Sequence, residues 1–283
     1  MSLSRLPRVT IVVTTYLSKT YPYLRLCMDS IKNLNYPASE LDIVLCCQQL
    51  DYREYTAEFG KDGVRVVTPP EMQYNNGRGI NFGVSCAAEG SKYYFILNDD
   101  VILSKNSLLN LVQGIGDNQF IASPIAPCDQ GRQFNLVMGL AHEGKFLPLQ
   151  KPFYRMADVE GITDTLMNGD SVYPPGFIYT DFLCFFAVFI PKTVWDKVGK
   201  LEEGFHKCGA DDLDYSLRGQ QQGIRCAFVL DSFVFHFGGA GSESNLKDKD
   251  RAYNAKVFKA KWNMHQPGIT DELVEKWEKG DAV

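Results

Sequence analysis

Adjacent carboxylates occur at two places in this sequence where they could take part in chemistry. Asn98-Asp99-Asp100 follows an apolar run, and Asp211-Asp212 begins a segment with helical spacing. Two neighbouring carboxylates repel each other when buried, and a bound cation relieves that repulsion. Carboxylate oxygens suit Mg²⁺ or Mn²⁺, and a carboxylate facing a cleft can act as a general base. The first pair therefore predicts a metal site and the second a base, with an Asx turn and a helix N-cap as the structural alternatives.

A glycine-rich segment and one histidine are further candidates for ligand contacts. The segment Asn76–Gly83 reads N-G-R-G-I-N-F-G, and its glycines would let a phosphate or ribose approach the backbone. The Arg78 guanidinium suits a phosphate or a base edge. The spacing matches neither the dinucleotide fingerprint nor a Walker A loop, so a tight turn packed on a sheet is the alternative. His236 ends an apolar run before two glycines, which favours a position facing a ligand.

The elements that must position these residues alternate between strand and helix in the first half of the chain. Near-continuous apolar strands separated by helices predict a parallel sheet covered on both faces. Polar residues directly follow these strands, and ligands of such sheets bind at the carboxyl ends of the strands. We therefore expect the polar residues to meet in one crevice. The predicted strands are Val9–Tyr16, Leu41–Cys47, Val64–Val67 and Tyr93–Asn98, and the predicted helices are Tyr23–Leu34, Gly79–Ala88 and Ser107–Gly114.

The second half of the chain is less regular. Residues 119–175 have no clear periodicity, and the tail from residue 244 to residue 280 is polar and helical. No repeat or linker is evident, which favours one continuous domain. Asp214 and Arg218, four residues apart, are predicted to pair on the surface of a helix. The predicted elements are a strand at Phe182–Ile190, helices at Lys192–Val198 and Asp211–Gln221, and a strand, turn and strand at Cys226–Phe235.

Composition and charge exclude several classes of protein. The 283 residues carry a net charge of −5, which argues against nucleic acid or an anionic membrane as the main partner. No apolar run approaches the roughly 20 residues of a membrane span. The residues Met1–Arg5 are not followed by the apolar stretch of a signal peptide. Eight scattered cysteines without a C-x-x-C pair fit reduced thiols, so we expect a cytoplasmic protein, either free or attached peripherally to a membrane.

Read in order, these motifs resemble those of glycosyltransferase family 2, and of its rhamnosyltransferase-like branch in particular. The resemblance runs from about Arg8 to Gly239. Its segments are Val12–Tyr16, Asn76–Gly83, Asn98–Asp100, Ile190–Phe205, Asp211–Arg218 and His236–Gly239. It implies an α/β fold of the GT-A type, a Rossmann-like mixed sheet of nucleotide-diphospho-sugar transferases flanked by helices. It also implies a domain over residues 1–240, with a nucleotide-binding half to about residue 100 and an acceptor-binding half beyond it, followed by a helical extension over residues 241–283.

The resemblance implies an inverting, metal-dependent transfer of a sugar to a hydroxyl. The donor would be a nucleotide-diphosphate sugar, UDP- or dTDP-linked, and the acceptor a glycan or a lipid-linked molecule, in polysaccharide biosynthesis. Asp212, or else Asp211, would be the base, and Asp100 and His236 would bind Mn²⁺ or Mg²⁺. Asp181 would contact the acceptor. The implied donor-binding residues are Thr14, Thr15, Tyr16, Gln48, Asn76, Arg78, Gly79, Asn98 and Asp99.

One departure from the family pattern leaves alternatives open. The family carries an Asp-Asn-Gly/Ala-Ser turn after the second strand, where the Asp holds the base, but this chain has Cys47-Gln48-Gln49-Leu50-Asp51. Either Gln48 or Asp51 would have to substitute, which leaves the nucleotide undecided. The departure also motivates the alternative of a non-catalytic nucleotide- or sugar-binding protein on a decayed transferase fold. A sugar nucleotidyltransferase is a further alternative, although the glycine-rich basic signature expected after its first strand is missing from Thr14–Ser18.

Overall fold

Within the part of the chain that the computed structural model describes, nine strands pair into one sheet at the centre of the fold. The structure describes residues 6–16, 21–48, 52–71, 73–126, 175–237 and 248–280. The strands in these ranges are β1 (Val9–Thr15), β2 (Leu41–Cys47), β3 (Arg65–Val67), β4 (Tyr93–Asn98), β5 (Val101–Leu103), β6 (Ile121–Ile125), β7 (Phe177–Thr180), β8 (Ala187–Pro191) and β9 (Cys226–His236). The α-helices are α1 (Tyr21–Lys32), α2 (Tyr52–Phe59), α3 (Asn76–Ser85), α4 (Ser107–Ile115), α5 (Lys192–Val198), α6 (Asp211–Gln221), α7 (Asp248–Trp262) and α8 (Asp271–Lys279).

The sheet is mixed, with its parallel part in the first half of the chain. The strand order is β3-β2-β1-β4-β8-β6-β9-β5, with β7 paired to β9. Strands β3, β2, β1 and β4 are parallel, as the sequence predicts, whereas β8 runs antiparallel to β4. In the register, Thr14 lies between Cys46 and Asn98. The carboxyl ends of β1, β2 and β4 therefore meet at one edge of the sheet, where the polar residues were expected to gather.

Helices cover both faces of the sheet, because alternate residues of each central strand point to opposite sides. Ile11 packs in one buried cluster that includes Leu24 of α1, and Val12 packs in another that includes Ile80 of α3. Helix α3 lies very close to the sheet, since a Cβ added at Gly83 would lie 2.4 Å from Val12 Cγ1. The predicted two-sided covering is confirmed.

Two local predictions are wrong. Residues 226–236 form the single strand β9 instead of a strand, turn and strand. The register of β9 against β6 jumps between Val229 and Phe233, as in a bulge, so the chain bends without reversing. Helix α4 bonds two groups of the bulge, because Asn110 Nδ2 donates to the Asp231 carbonyl and Ser232 Oγ donates to the Ser107 carbonyl.

The second error concerns the strand predicted at Phe182–Ile190, which begins only at Ala187. The backbone N–H of Asn98 donates to the Phe186 carbonyl where the chain enters β8. Leu183 and Phe185 instead approach α6, where Leu183 N and Ser216 Oγ are 3.5 Å apart and the rings of Phe185 and Tyr215 have centroids 5.4 Å apart. An apolar run predicts burial, and here burial against a helix replaces pairing in the sheet.

The C-terminal helices pack on the part of the molecule that carries Asp211 and Asp212. Phe258 of α7 is fully buried in a cluster with Phe205, Ala210 and Leu213. Helix α8 packs in turn on α7 through a cluster that includes Val274 and Trp277. None of the helices in the described ranges is long and apolar enough to cross a bilayer.

Candidate active site

Asp99 and Asp100 lie at the carboxyl end of β4, and both are buried. Thr15 Oγ1 donates a 2.6 Å hydrogen bond to Asp99 Oδ2. Asp100 Oδ1 lies 3.2 Å from His236 Nε2, because β5 pairs with the end of β9. The His236 ring also stacks on Phe186, with ring centroids 4.3 Å apart, which fixes its plane. The structure thus brings the two predicted metal ligands together.

The donor set formed by Asp100 and His236 fits a divalent cation shared with a substrate. Carboxylate oxygen and imidazole nitrogen both suit Mn²⁺, and Mg²⁺ or Mn²⁺ commonly completes its coordination with water and phosphate oxygens. Across the described ranges, no group of three or more His, Cys, Asp or Glu side chains is arranged to hold a metal. Of the described residues, Asp100 and His236 would each supply one ligand to such a cation, with water and phosphate oxygens as the further ligands.

Gln48 lies at the end of β2 and is buried. The oxygen and the nitrogen of its side-chain amide differ in their hydrogen bonding. Its Oε1 accepts from the Asn75 N–H at 3.1 Å, whereas among the described residues its Nε2 has no hydrogen-bond partner. Gly79 lies directly against this amide, since an added Cβ would be 2.4 Å from Nε2. A buried donor is costly to leave unpaired, so Nε2 is suited to donate to an oxygen acceptor.

Aromatic side chains lie at the same edge of the sheet. The rings of Tyr16 and Tyr74 stack with centroids 4.5 Å apart. Aromatic faces of this kind can accept a planar base. Asp51, the alternative residue for holding the base, lies outside the described residues, as do Gly238 and Gly239 after His236.

The predicted donor-binding residues of α3 do not all face the same way. Arg78 forms ion pairs with Glu71 at 2.6 Å and with Glu203 at 3.5 Å. Asn76 instead donates from Nδ2 to Asp211 Oδ2 at 2.7 Å, so its side chain contacts the acidic pair. The first residue of α3 thus connects the strand ends to the beginning of α6.

Asp211 and Asp212 begin α6 and have altered acidities. Asp211 is buried, and the Gly209 N–H donates to its Oδ1 at 2.9 Å. Burial raises the pKa of Asp211 despite these hydrogen bonds. Loss of solvation, together with the charge of Asp211, raises the pKa of Asp212 to about 7. Asn76 and Gly209 thus bond both oxygens of Asp211, whereas the hydrogen bonds to Asp212 come from backbone groups, including those of Leu213 and Phe185.

Asp214, one turn further along α6, is bonded to side chains of α6 and α7. Its side chain is fully buried, and Arg218 Nε contacts Oδ2 at 2.9 Å. Lys261 Nζ at 2.8 Å and Trp262 Nε1 at 2.9 Å contact Oδ1 from α7. The predicted pairing with Arg218 is confirmed, but the predicted surface position is wrong, because α7 covers the pair.

Asp181 lies beside the end of α6 that is opposite to the acidic pair. Its backbone carbonyl accepts a hydrogen bond from Gln220, at the opposite end of α6 from Asp211. At 1.5 Å per residue the two ends are roughly 14 Å apart along the helix axis. The described contacts therefore do not place Asp181 with Asp211 and Asp212.

Asn75 is a site residue that sequence reasoning missed. It caps α3, its Oδ1 accepting from the Arg78 N–H at 2.8 Å. Its Nδ2 donates to the Glu203 and Phe205 carbonyls at 3.0 and 2.8 Å, which ties α3 to the loop before α6. The signal was available, since an Asn before the glycine-rich run is a typical N-cap. This cap also explains why α3 begins at Asn76 rather than at Gly79.

Comparison with known proteins places this geometry in a family. The model of the family described as Glycosyl transferase family 2 matches residues 10–178. Among curated proteins, none matches the sequence. Solved structures match over almost the whole chain at low identity, which establishes the fold. One is S. aureus TarS, with 9% identity, a TM-score of 0.57 and coverage of 96% of this chain and 42% of that chain.

Two further structures have the same architecture. The mannosyltransferase PcManGT from Pyrobaculum calidifontis, solved with GDP-Man and Mn²⁺, has 16% identity, a TM-score of 0.60 and coverage of 96% of this chain and 69% of that chain. GalNAc-T7, solved with UDP, GalNAc and Mn²⁺, has 14% identity, a TM-score of 0.60 and coverage of 98% of this chain and 55% of that chain. The chain thus spans less than half of TarS and about half to two thirds of the other two. Because the family model covers more than half of its residues, the chain belongs to glycosyl transferase family 2 and has the GT-A fold.

Proposed function

We propose that this protein transfers a sugar from a nucleotide-diphosphate donor to a hydroxyl, with inversion at the anomeric carbon. One observation carries the proposal. The adjacent residues Asn75 and Asn76 link Gln48, at the end of β2, to Asp211, at the start of α6. A donor bound across the strand ends would therefore lie beside the acidic pair. The donor side of the cleft consists of Thr14, Thr15, Tyr16, Gln48, Arg78, Gly79, Asn98 and Asp99.

Asp212 is the proposed general base. Its carboxylate takes the proton of the acceptor hydroxyl while that oxygen bonds to the anomeric carbon and the bond to the diphosphate breaks. Charge develops on the sugar as in glycoside hydrolysis, where the transition state resembles an oxocarbenium ion. A pKa near 7 keeps the base deprotonated for part of the time at neutral pH without making it too weak. Asn76 and the Gly209 N–H hold Asp211 in place beside it.

Asp100 and His236 are the proposed ligands of Mn²⁺ or Mg²⁺, with Thr15 orienting the neighbouring Asp99. When bound, such a cation neutralises charge on the leaving diphosphate. The similar solved structures contain GDP-Man in one case and UDP-GlcNAc or UDP in others, so the nucleotide stays open. A UDP- or dTDP-linked donor, a glycan or lipid-linked acceptor, a part in polysaccharide biosynthesis and a cytoplasmic location remain predictions.

A thermal-shift series tests the donor. UDP-GlcNAc, UDP-GalNAc, GDP-mannose and dTDP-rhamnose would each be added with and without Mn²⁺. A true donor at 100 times its Kd stabilises the folded state by about 2.7 kcal/mol through mass action. We expect one donor to raise the Tm, and to do so strongly only with Mn²⁺.

The product formed with that donor separates the alternatives. A transferase slowly releases nucleoside diphosphate, with water as acceptor. Tight binding without release would instead support a non-catalytic binding protein. Formation of pyrophosphate from a nucleoside triphosphate and a sugar 1-phosphate would support a nucleotidyltransferase. Either of the last two results would contradict the proposed function.

A further inference from the structure

The loop that leads into the acidic pair has an unusual backbone. We call residues 205–210 the acid loop. Lys207, Gly209 and Ala210 in this loop have φ values of 55°, 100° and 72°. Non-glycine residues rarely adopt such left-handed conformations, and they persist only where the surroundings enforce them. Contacts from other elements must therefore hold the acid loop in shape.

Asn254 of α7 makes the most extensive of these contacts. Its Oδ1 accepts from the His206 N–H at 2.6 Å, and its Nδ2 donates to the His206 carbonyl at 3.0 Å and to the Cys208 carbonyl at 2.9 Å. The side chain is 3% exposed. One amide thus satisfies three backbone groups of the acid loop, which an aliphatic side chain could not do.

The opposite side of the acid loop contacts α3. The Asn76 N–H donates to the Lys207 carbonyl at 2.6 Å, and Asn75 forms a parallel bridge with Lys207. Lys207 Nζ also lies 2.9 Å from Asp250 Oδ2 on α7. The acid loop is therefore clamped between the helix that carries Asn76 and the C-terminal helix α7, directly before Asp211.

We propose that Asn254 is a positioning residue for sugar transfer, acting through the acid loop on Asp211 and Asp212. The inference rests on the proposed function of those two carboxylates. Asn254 itself is outside the segment matched by the family model and outside the resemblance seen in the sequence. Helix α7 would thereby belong to the catalytic machinery, although it contributes no catalytic residue.

The test compares Asn254→Ala with Asn110→Ala in the full chain. Asn110 is a matched control, because its Nδ2 also donates to a backbone carbonyl, that of Asp231, but on α4 away from the acid loop. Release of nucleoside diphosphate would be measured with the best donor from the thermal-shift series and Mn²⁺. Hydrogen exchange of a peptide spanning residues 205–210 would be followed without donor.

We expect Asn254→Ala to lower kcat by roughly 10- to 100-fold, the size of effect that small misplacements of reacting groups produce. The donor KM should stay within about twofold, since Gln48 and the strand ends are untouched. Exchange of the acid loop should rise. Asn110→Ala should leave all three measurements near the wild-type values.

Asn254→Asp is the second variant if Asn254→Ala folds poorly. It keeps the volume and the acceptor for the His206 N–H, but as a carboxylate it cannot donate to the two carbonyls. It should therefore also lose kcat without a change in donor KM.

Four results would overturn the inference. The first is that hydrogen exchange of the acid loop is unchanged in Asn254→Ala. The second is that kcat is unchanged although exchange is faster. The third is that Asn254→Ala and Asn110→Ala lose kcat and Tm to the same extent. The fourth is that exchange of the acid loop is faster in Asn254→Ala while the wild-type protein releases no nucleoside diphosphate. This last result would contradict the proposed function, and the positioning role with it, while the clamp itself would stand.

Discussion

The two carboxyl groups at the start of α6 differ in how they are held, although they are adjacent. Both oxygens of Asp211 are hydrogen-bonded to Asn76 and Gly209, whereas Asp212 accepts from backbone groups, among them the Leu213 N–H at its Oδ1 and the backbone of Phe185. A group that must accept a proton needs an oxygen open to the substrate. The resemblance to the family already favoured Asp212 over Asp211, and the two bonded oxygens of Asp211 support that proposal.

Asp212→Asn should remove the base while leaving the donor site intact. We expect kcat to fall by about 10²- to 10⁴-fold, the usual contribution of a general base. The affinity for the nucleotide sugar, measured by calorimetry, should change little. Asp196→Asn is the control, since Asp196 pairs with Lys192 on the surface. Full turnover by Asp212→Asn would rule out the assignment of the base.

The wild-type pH profile should report the same group. A base must be deprotonated to act, so kcat should rise with pH and level off above about 7, following the raised pKa of Asp212. The Asp212→Asn variant should lack this rise. A wild-type profile that is flat between pH 5 and 8 would contradict the role of Asp212.

Removing Asp100 should separate metal-dependent from metal-independent binding. Asp100→Ala takes away a carboxylate that lies 3.2 Å from His236 and leaves the base side of the cleft unchanged. We expect donor affinity in Mn²⁺ to drop to the value seen without metal, because the cation links protein to diphosphate. Titration of UDP or GDP with and without Mn²⁺ measures this, with Asp196→Asn as control. If Mn²⁺ raised donor affinity in the variant as much as in the wild type, the metal would have to bind elsewhere.

At the scale of elements, two glycines allow α3 to lie close to the sheet and to Gln48. Gly79 and Gly83 lie one turn apart, and a Cβ at either would come within 2.4 Å of a neighbour. At Gly83 that neighbour is Val12 in the core, whereas at Gly79 it is the amide of Gln48. The missing side chain thus permits close core packing at Gly83 and close contact with Gln48, in the candidate donor site, at Gly79.

Gly79→Ala and Gly83→Ala should therefore differ in function more than in stability. Each overpacks the interface, which typically costs about 1–3 kcal/mol of the free energy of unfolding. Only Gly79→Ala displaces Gln48, so only it should weaken donor binding by more than the loss of folded protein explains. Urea unfolding and donor titration of both variants measure this difference. Equal donor affinities would show that Gln48 does not contact the donor.

At the scale of the whole molecule, the acidic pair makes folding depend on pH. The pKa of Asp212 is about 7 in the folded protein, compared with 3.8 for an unperturbed Asp. Between about pH 4 and 7 the folded state therefore holds a proton that the unfolded chain has lost. The contribution of Asp212 to the free energy of unfolding therefore falls as pH rises through this window, because the unfolded state holds less of this proton there.

Asp212→Asn should weaken this dependence, since an amide does not ionise. We expect the variant to have a higher Tm than the wild type at pH 8 and a similar Tm near pH 4, both without metal or donor. Thermal unfolding across this pH range measures the difference, and Asp196→Asn should follow the wild type. A variant that is less stable than the wild type at pH 8 would show that the Asp212 charge is compensated in the folded protein.

The sequence by itself determined the parallel half of the sheet and the residues at its edge. Strands β2 and β4 and helices α5 and α6 have the predicted bounds, because apolar runs and helical spacing are local properties. The order of polar residues after the strands was enough to predict that Thr15 and Asp99 lie near each other. The meeting of Asp100 with His236 was also predicted, through the family resemblance.

Only the tertiary structure decided how distant parts of the chain combine at the acidic pair. The contact of Asn76 with Asp211 joins residues 135 positions apart, and Asn254 reaches His206 from α7. The bulge in β9 and the burial of Asp214 likewise depend on elements packed from elsewhere. A single sequence shows which residue types are present and their local periodicity, but burial and hydrogen-bond partners across such separations arise only when the elements pack together.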